Sequence, residues 1–400
     1  MAHGKKFVDE PMVNPELADK AVKLGIGLAV LGLIGCGVLF GSEGGKRQFF
    51  FSYLTAFATF TTISLGCLFF VILHHLTRAM WGTGLRRLAE NIAGALPVMA
   101  LLFIPILIGM HDLYHWSHPE AVEADPLLQG KQGFLNSGFF IGRSLVYIAI
   151  WVALAMFFRR NSVQQDQNGD VNLTFKMRWW APIATLGFAL SISYAGFDWL
   201  MSLDPHWFST MFGVIIFAGA MVSGYATLGL MGLWLTKNGE LKNTLTEWNF
   251  HDTAKLMWGF GIFWAYVSFS QYFLQWYSNI PEETAWYMLR AQGGWGNMGL
   301  FLIFGHFVLP FLILLSRHMK RSRLGFGIIA AWMLFMHYID LYYMIMPTLH
   351  HHLHFTLMDL SAVLLVGGIF LVCIVRPLKK DAAVAHNDPM LVASMNYDNF

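Results

Sequence analysis

The sequence predicts an all-α integral membrane protein of about ten transmembrane helices. Three observations carry that prediction: the apolar composition, the length of the apolar runs and the one-sided placement of the cations. Hydrophobic residues make up 56% of the 400 and charged residues 12%, against about 25% charged in ordinary globular chains. Too little polar side chain remains to cover a soluble fold of that size. A bilayer core about 30 Å thick needs roughly 20 apolar residues per spanning helix, and such runs follow one another along the whole chain.

The runs place spans at about 21–41, 49–77, 88–110, 134–158, 178–200, 207–235, 253–278, 296–316, 324–347 and 355–375. Residues 1–20 form a polar leading segment of mixed charge, 21–376 the membrane domain and 377–400 a polar tail. No small-residue cleavage site follows the leading segment, so the first helix itself is expected to insert. Twenty of the 26 Lys and Arg residues fall at the N-terminus, in alternate connections and at the C-terminus. The opposite connections hold only Lys46, Arg47, Lys131 and Arg290, and Arg143 and Lys255 lie within spans. The positive-inside rule makes the cation-rich side cytoplasmic, and an even number of spans puts both termini there.

A net charge of +2 argues for neither nucleic acid nor an acidic soluble partner. Cys36, Cys67 and Cys373 all lie in apolar runs. That excludes a disulfide framework, an iron-sulfur motif and a C-x-x-C-H haem site, and leaves packing as their role. There is no Walker A loop, nucleophile elbow or H-E-x-x-H. The run His350, His351, His352, His354 lacks the spacing of a built metal site.

An internal repeat runs through the chain. Phe51-Ser52, Gly66 and Gly82 recur as Phe208-Ser209, Gly224 and Gly239, at offsets of 157, 158 and 157. It predicts two parallel four-helix bundles, about 49–200 and about 207–347, with peripheral helices at 21–41 and 355–375.

Ionisable side chains inside spans cost several kcal/mol, so each is a candidate for function. Asp198 closes the fifth span, and Asp204 and His206 sit at the lip beyond it. The ninth span brings His337, Asp340 and Tyr343 to one face at three-residue steps, and the eighth carries His306. These two histidines could ligate a haem, pass protons with Asp340, or form a structural polar cluster. Arg143 needs a counter-ion, and Asp198, Asp340 and Asp359 are the candidates by depth. On the cytoplasmic half stand His74, His75, Glu90, His251, Asp252 and Lys255, where helix-end snorkelling competes with function. Thr61, Thr62 and Ser64 supply hydroxyls at mid-depth, as a water chain or as glue between helices. The long outer connection 111–131 is acidic, aromatic and His-rich, which suits a docking surface for another subunit.

The stretch SYAGFDWLMSLDPHWFSTMFG, Ser193 to Gly213, together with the ten-span plan, resembles the F-type membrane subunit of bacterial alternative complex III. That subunit is similar in fold to the large membrane subunits of polysulfide reductase-type and nitrite reductase-type complexes. The resemblance implies a non-catalytic, cofactor-free subunit in the bacterial plasma membrane. Its complex oxidises a quinol, usually menaquinol, and passes electrons to a cytochrome c or similar carrier. Haem c and iron-sulfur clusters are then expected in partners: cytochrome c subunits, an iron-sulfur protein and a sister membrane subunit that oxidises the quinol. Carried onto this chain, Asp198, His306, His337 and Asp340 with Arg143 form an outer half of a proton path, and Lys255 with His74 an inner inlet. Two alternatives remain: a subunit that binds and oxidises quinol itself at the outer His and Asp residues, and a secondary transporter. The transporter would want broken helices at matching places, and Pro97, Pro105 and Pro182 have no partners at the repeat offset.

Overall fold

The computed structural model describes residues 9–398, so Lys5 and Lys6 of the cation count lie outside the described part. Ten long helices follow the predicted order: α1 Pro15–Phe40, α2 Gly45–Thr77, α3 Thr83–Ile108, α4 Ser137–Asn168 and α5 Asn172–Trp199. Then come α6 Phe212–Lys237, α7 Glu247–Ser278, α8 Trp295–Leu315, α9 Arg323–Ile345 and α10 Leu357–Val375. The described residues contain no strand. Nine of the ten helices are long and apolar enough to cross a membrane. The tenth, α7, is 32 residues long, but Trp, Tyr, Ser and Gln side chains interrupt its apolar stretch and keep it from counting with the nine.

Several helices begin before the apolar run does, because capping chemistry sets the start. Asn14 accepts from the Glu16 N–H and Pro15 takes the first helical position, so α1 begins six residues before the expected 21. At α7 the Asn249 side chain accepts from the Thr246 N–H at 2.8 Å, which moves that start from the expected 253 to Glu247.

Packing centres on α2. Of its most apolar window 83% is buried, against 17% for α1, and it touches α3, α5, α6, α9 and α10. α2 and α6 cross at backbone distance. A Cβ on Gly66 would sit 1.9 Å from the Ala220 carbonyl oxygen, and one on Gly224 2.9 Å from the Gly66 Cα. Only glycine on both sides permits that approach. The two residues are the repeat partners read from the sequence. α1 and α10 pack along each other at the edge.

Two connections differ from expectation. The aromatic residues of 111–131, expected against another subunit, are buried in this chain. Tyr114 donates to the Trp199 carbonyl at 2.9 Å and Trp116 to the Ser202 carbonyl at 3.1 Å. Residues 377–398 are not a free tail. Asp388 accepts from Arg86 at 2.6 Å, Arg159 pairs with Asp381, and the Ala383 N–H donates to the Pro11 carbonyl at 2.8 Å. The two terminal segments therefore meet at one end of the helices. The three cysteines are unpaired, with Cys36 and Cys67 buried.

Candidate functional site

The structure sorts the predicted residues into three separate groups. The first is an ion pair between α4 and α5. Arg143 donates to both carboxylate oxygens of Asp198 at 2.8 Å, and Tyr147 donates to Oδ2 at 2.8 Å. Asp198 is fully buried, and the Arg143 guanidinium is covered by the Phe134 ring at 3.7 Å. Of the three candidate counter-ions the structure selects Asp198. Every acceptor face of that carboxylate used here has a donor, so the group is closed. The tyrosine involved is Tyr147; Tyr194, one turn before Asp198, is 45% exposed. Inward of the pair, Trp199 donates to Ser144 and Trp151 to Ser191, so α4 and α5 are joined in layers.

The second group lies between α7, α8 and α9, against α2 and α6. It holds His306, His337 and Asp340, which are 0%, 1% and 3% exposed. Trp264 of α7 links two of them: its indole N–H donates to Asp340 Oδ2 at 3.0 Å, and its ring lies on the His306 imidazole with centroids 4.0 Å apart. His337 Nε2 is 2.8 Å from Thr62 Oγ1 of α2. Gly219 of α6 admits both α9 side chains, since a Cβ there would lie 3.1 Å from the His337 ring and 3.9 Å from Asp340 Oδ2. Neither nitrogen of His306 has a hydrogen-bond partner, and neither does His337 Nδ1. Asp340 makes no ion pair among the described residues.

Local sequence explains the position of His306. Pro310 lacks an N–H, so the carbonyl of residue 306 has no partner four residues on. The chain widens into a π-turn over Ile303–Val308, with Leu309 donating to the Phe304 carbonyl. Trp332 of α9 donates to the Gly305 carbonyl at 2.7 Å and fixes the turn. Such turns bring side chains to positions a regular helix does not reach. Around His306 a narrow apolar cleft is lined by Met257, Gly261, Phe307, Phe311 and Met333.

The third group sits at the end that carries the chain termini. His74 Nδ1 donates to the Phe70 carbonyl at 2.9 Å, and the ring lies against Phe70 and Trp81. Lys255 of α7 lies 3.2 Å from Asp252 with its side chain 44% exposed. The two contact different elements, so the expected inlet of Lys255 with His74 is not assembled as one site. Arg86 and Arg87 instead clasp Glu90 at 3.3 and 2.9 Å, and Arg87 also lies 2.7 Å from Asp166.

Outside the spans, His206 Nε2 lies 2.5 Å from Asp125 Oδ2, and that contact holds the Asp125 carboxyl below the usual carboxylate range. Arg290, 2% exposed, donates to the Trp286, Tyr343 and Met344 carbonyls and caps the end of α9. Burial pulls its guanidinium below the ordinary value. Among the described residues no group of three or more His, Cys, Asp or Glu side chains is arranged to hold a metal ion.

Sequence reasoning found His306, His337, Asp340 and Thr62 but missed Trp264, which joins two of them. Its signal was weak: one more tryptophan in an aromatic helix. No model of a known protein family matches the chain, and no curated protein matches it.

Proposed function

We propose that the chain is a cofactor-free membrane subunit of a quinol:electron-carrier oxidoreductase complex of the alternative complex III type, serving as scaffold and proton path. The observation that carries the proton role is the second group above. A carboxyl and two imidazoles are buried in one cluster, three imidazole nitrogens have no partner, and no cation neutralises the carboxyl. A cluster that exchanges protons needs free lone pairs and groups that titrate, and this one holds both imidazoles and a carboxyl without a cation. The closed Arg143–Asp198 pair belongs to the scaffold.

The resemblance over Ser193–Gly213 supports the assignment to the complex. The crossing of repeat partners Gly66 and Gly224 supports a pair of parallel four-helix units, α2–α5 and α6–α9, flanked by α1 and α10. In this reading both termini are cytoplasmic and the membrane is the bacterial plasma membrane. Menaquinol is the substrate of the complex, and a sister membrane subunit, an iron-sulfur protein and cytochrome c subunits are the partners.

A second reading, quinol oxidation in this chain, draws on the apolar cleft with unpartnered His306 at its wall. Isolation in mild detergent tests the assignment. Haem- and cluster-bearing proteins co-purify if it is right, and a chain that isolates alone and is active in transport overturns it. Inhibitor resistance from changes at His306, with the sister subunit unaltered, favours the second reading.

A further inference from the structure

We propose that a proton route runs along one face of α2, from a mouth at Asp359 and His350 to His337 at mid-depth, through the hydroxyls of Ser52, Thr55, Thr59 and Thr62. The proposal rests on the reading of the His337–Asp340 cluster as a proton site and gives that cluster its connection to one surface.

The mouth is a hydrogen-bonded knot at the start of α10. Asp359 Oδ1 accepts from Ser52 at 2.5 Å and from Gln48 at 3.2 Å. Its Oδ2 accepts from the Thr356 N–H at 2.8 Å and from Tyr342 at 3.3 Å. Gln48 Oε1 in turn lies 2.6 Å from His350 Nε2. Asp359 is 3% exposed and Ser52 is fully buried, whereas His350 is half-buried and reaches the surface. An ionisable group at the surface thus touches a chain of contacts that ends on a buried carboxyl and a helix hydroxyl.

From Ser52 the hydroxyls continue inward. At 3.6 residues per turn, positions 52, 55, 59 and 62 fall within an arc of about 80° and cover about 15 Å of helix. All four are at most 5% exposed. Thr55, Thr59 and Thr62 each donate to the carbonyl one turn back, at 2.9, 2.8 and 2.7 Å. Each oxygen therefore keeps a lone pair to accept from another donor. Neighbours three or four residues apart on a helix stand roughly 5–6 Å from each other, so the route needs one water at each step. Thr62 then meets His337 Nε2 at 2.8 Å, and His337 Nδ1 on the far side of the ring has no partner.

Buried Ser and Thr often serve only to join helices. Here the stripe differs at its ends, since each terminates on an acid or base from a different helix, Asp359 of α10 and His337 of α9. Transfer needs no oxidant or reductant. Each hydroxyl oxygen gains one O–H bond as its own O–H breaks, so the residue is unchanged and one proton has advanced. At the mouth Gln48 bridges Asp359 and His350 and sets the distance between them.

The test uses the chain with its co-purifying subunits, reconstituted in vesicles with menaquinol as reductant and a pH-sensitive dye to follow proton movement. Thr59→Val removes a hydroxyl at nearly constant volume, and Thr227→Val, on α6 away from the route, is its control. Thr59→Val is expected to slow proton movement about tenfold or more, with the melting temperature of the control. Asp359→Asn is expected to do the same, and Thr59→Val carries the test alone if loss of the Asp359 cap prevents folding. Normal proton movement in Thr59→Val, with movement lost in Asp340→Asn, overturns the route and leaves the cluster reading standing. Normal movement in Asp340→Asn overturns both.

Discussion

Thr62 Oγ1 on α2 and His337 Nε2 on α9 lie 2.8 Å apart. The contact spans 275 residues of sequence and ties α2 to α9, the helix that carries Asp340. The helix that carries Asp340 is therefore held by a helix far from it in sequence.

Asp340→Asn keeps the oxygen that accepts from Trp264 and removes the proton site. The expected result is an assembled complex with near-normal melting and proton coupling reduced about a hundredfold. Dye-monitored proton movement per electron transferred measures it. A variant that assembles, turns over and couples normally removes Asp340 from the mechanism.

Arg143→Leu leaves buried Asp198 charged and without its cation. Breaking such a pair costs about 3–5 kcal/mol, so the yield of assembled complex and the melting temperature should both fall. Replacing Asp198 and Arg143 together by Leu should recover most of that loss. The remainder comes from the Tyr147 hydroxyl, which loses its acceptor at about 1–3 kcal/mol, and Tyr147→Phe added to the pair should remove it. Intrinsic tryptophan fluorescence on heating reads each step.

Gly66→Ala puts a methyl group against the Ala220 carbonyl and should destabilise by about 1–3 kcal/mol or more. Gly27 is the control, because a Cβ there meets nothing within 4 Å. Gly27→Ala should raise stability by up to about 1 kcal/mol through helix propensity. Equal melting of the two variants would show that the α2–α6 crossing is looser than described.

His350 predicts a pH effect. Burial first, then His354 and Arg47, lower its proton affinity from the ordinary 6.5, with Asp359 acting the other way. The folded chain thus holds this imidazole neutral where the unfolded chain protonates it. Stability is unaffected above pH 6.5 and falls as the pH drops below that value toward the folded one. Melting temperatures across this range should decline more steeply for the natural chain than for His350→Gln. Parallel curves would count against the burial of His350.

Apolar runs in the sequence located the ten long helices, nine of them apolar enough to cross a membrane, because a spanning helix requires an apolar run of about 20 residues. They set the start of α1 six residues late because Asn14 and Pro15 are cap chemistry, which hydropathy does not measure. Depth alone could not choose among Asp198, Asp340 and Asp359 as the partner of Arg143, since the choice turns on the rotation of each helix about its axis. Trp264 was invisible as a site residue for the same reason. The docking of residues 381–395 rests on single polar contacts such as Arg86 with Asp388, spread over 302 residues of sequence, and such pairs leave no periodic trace.

The glycine crossing of α2 and α6 also bears on how the protein can move. Two helices in contact through backbone atoms cannot slide past one another without a clash, and side chains that could rearrange to permit sliding are missing at that point. At that crossing α2 and α6 can therefore turn about each other but not slide, so the contact acts as a pivot.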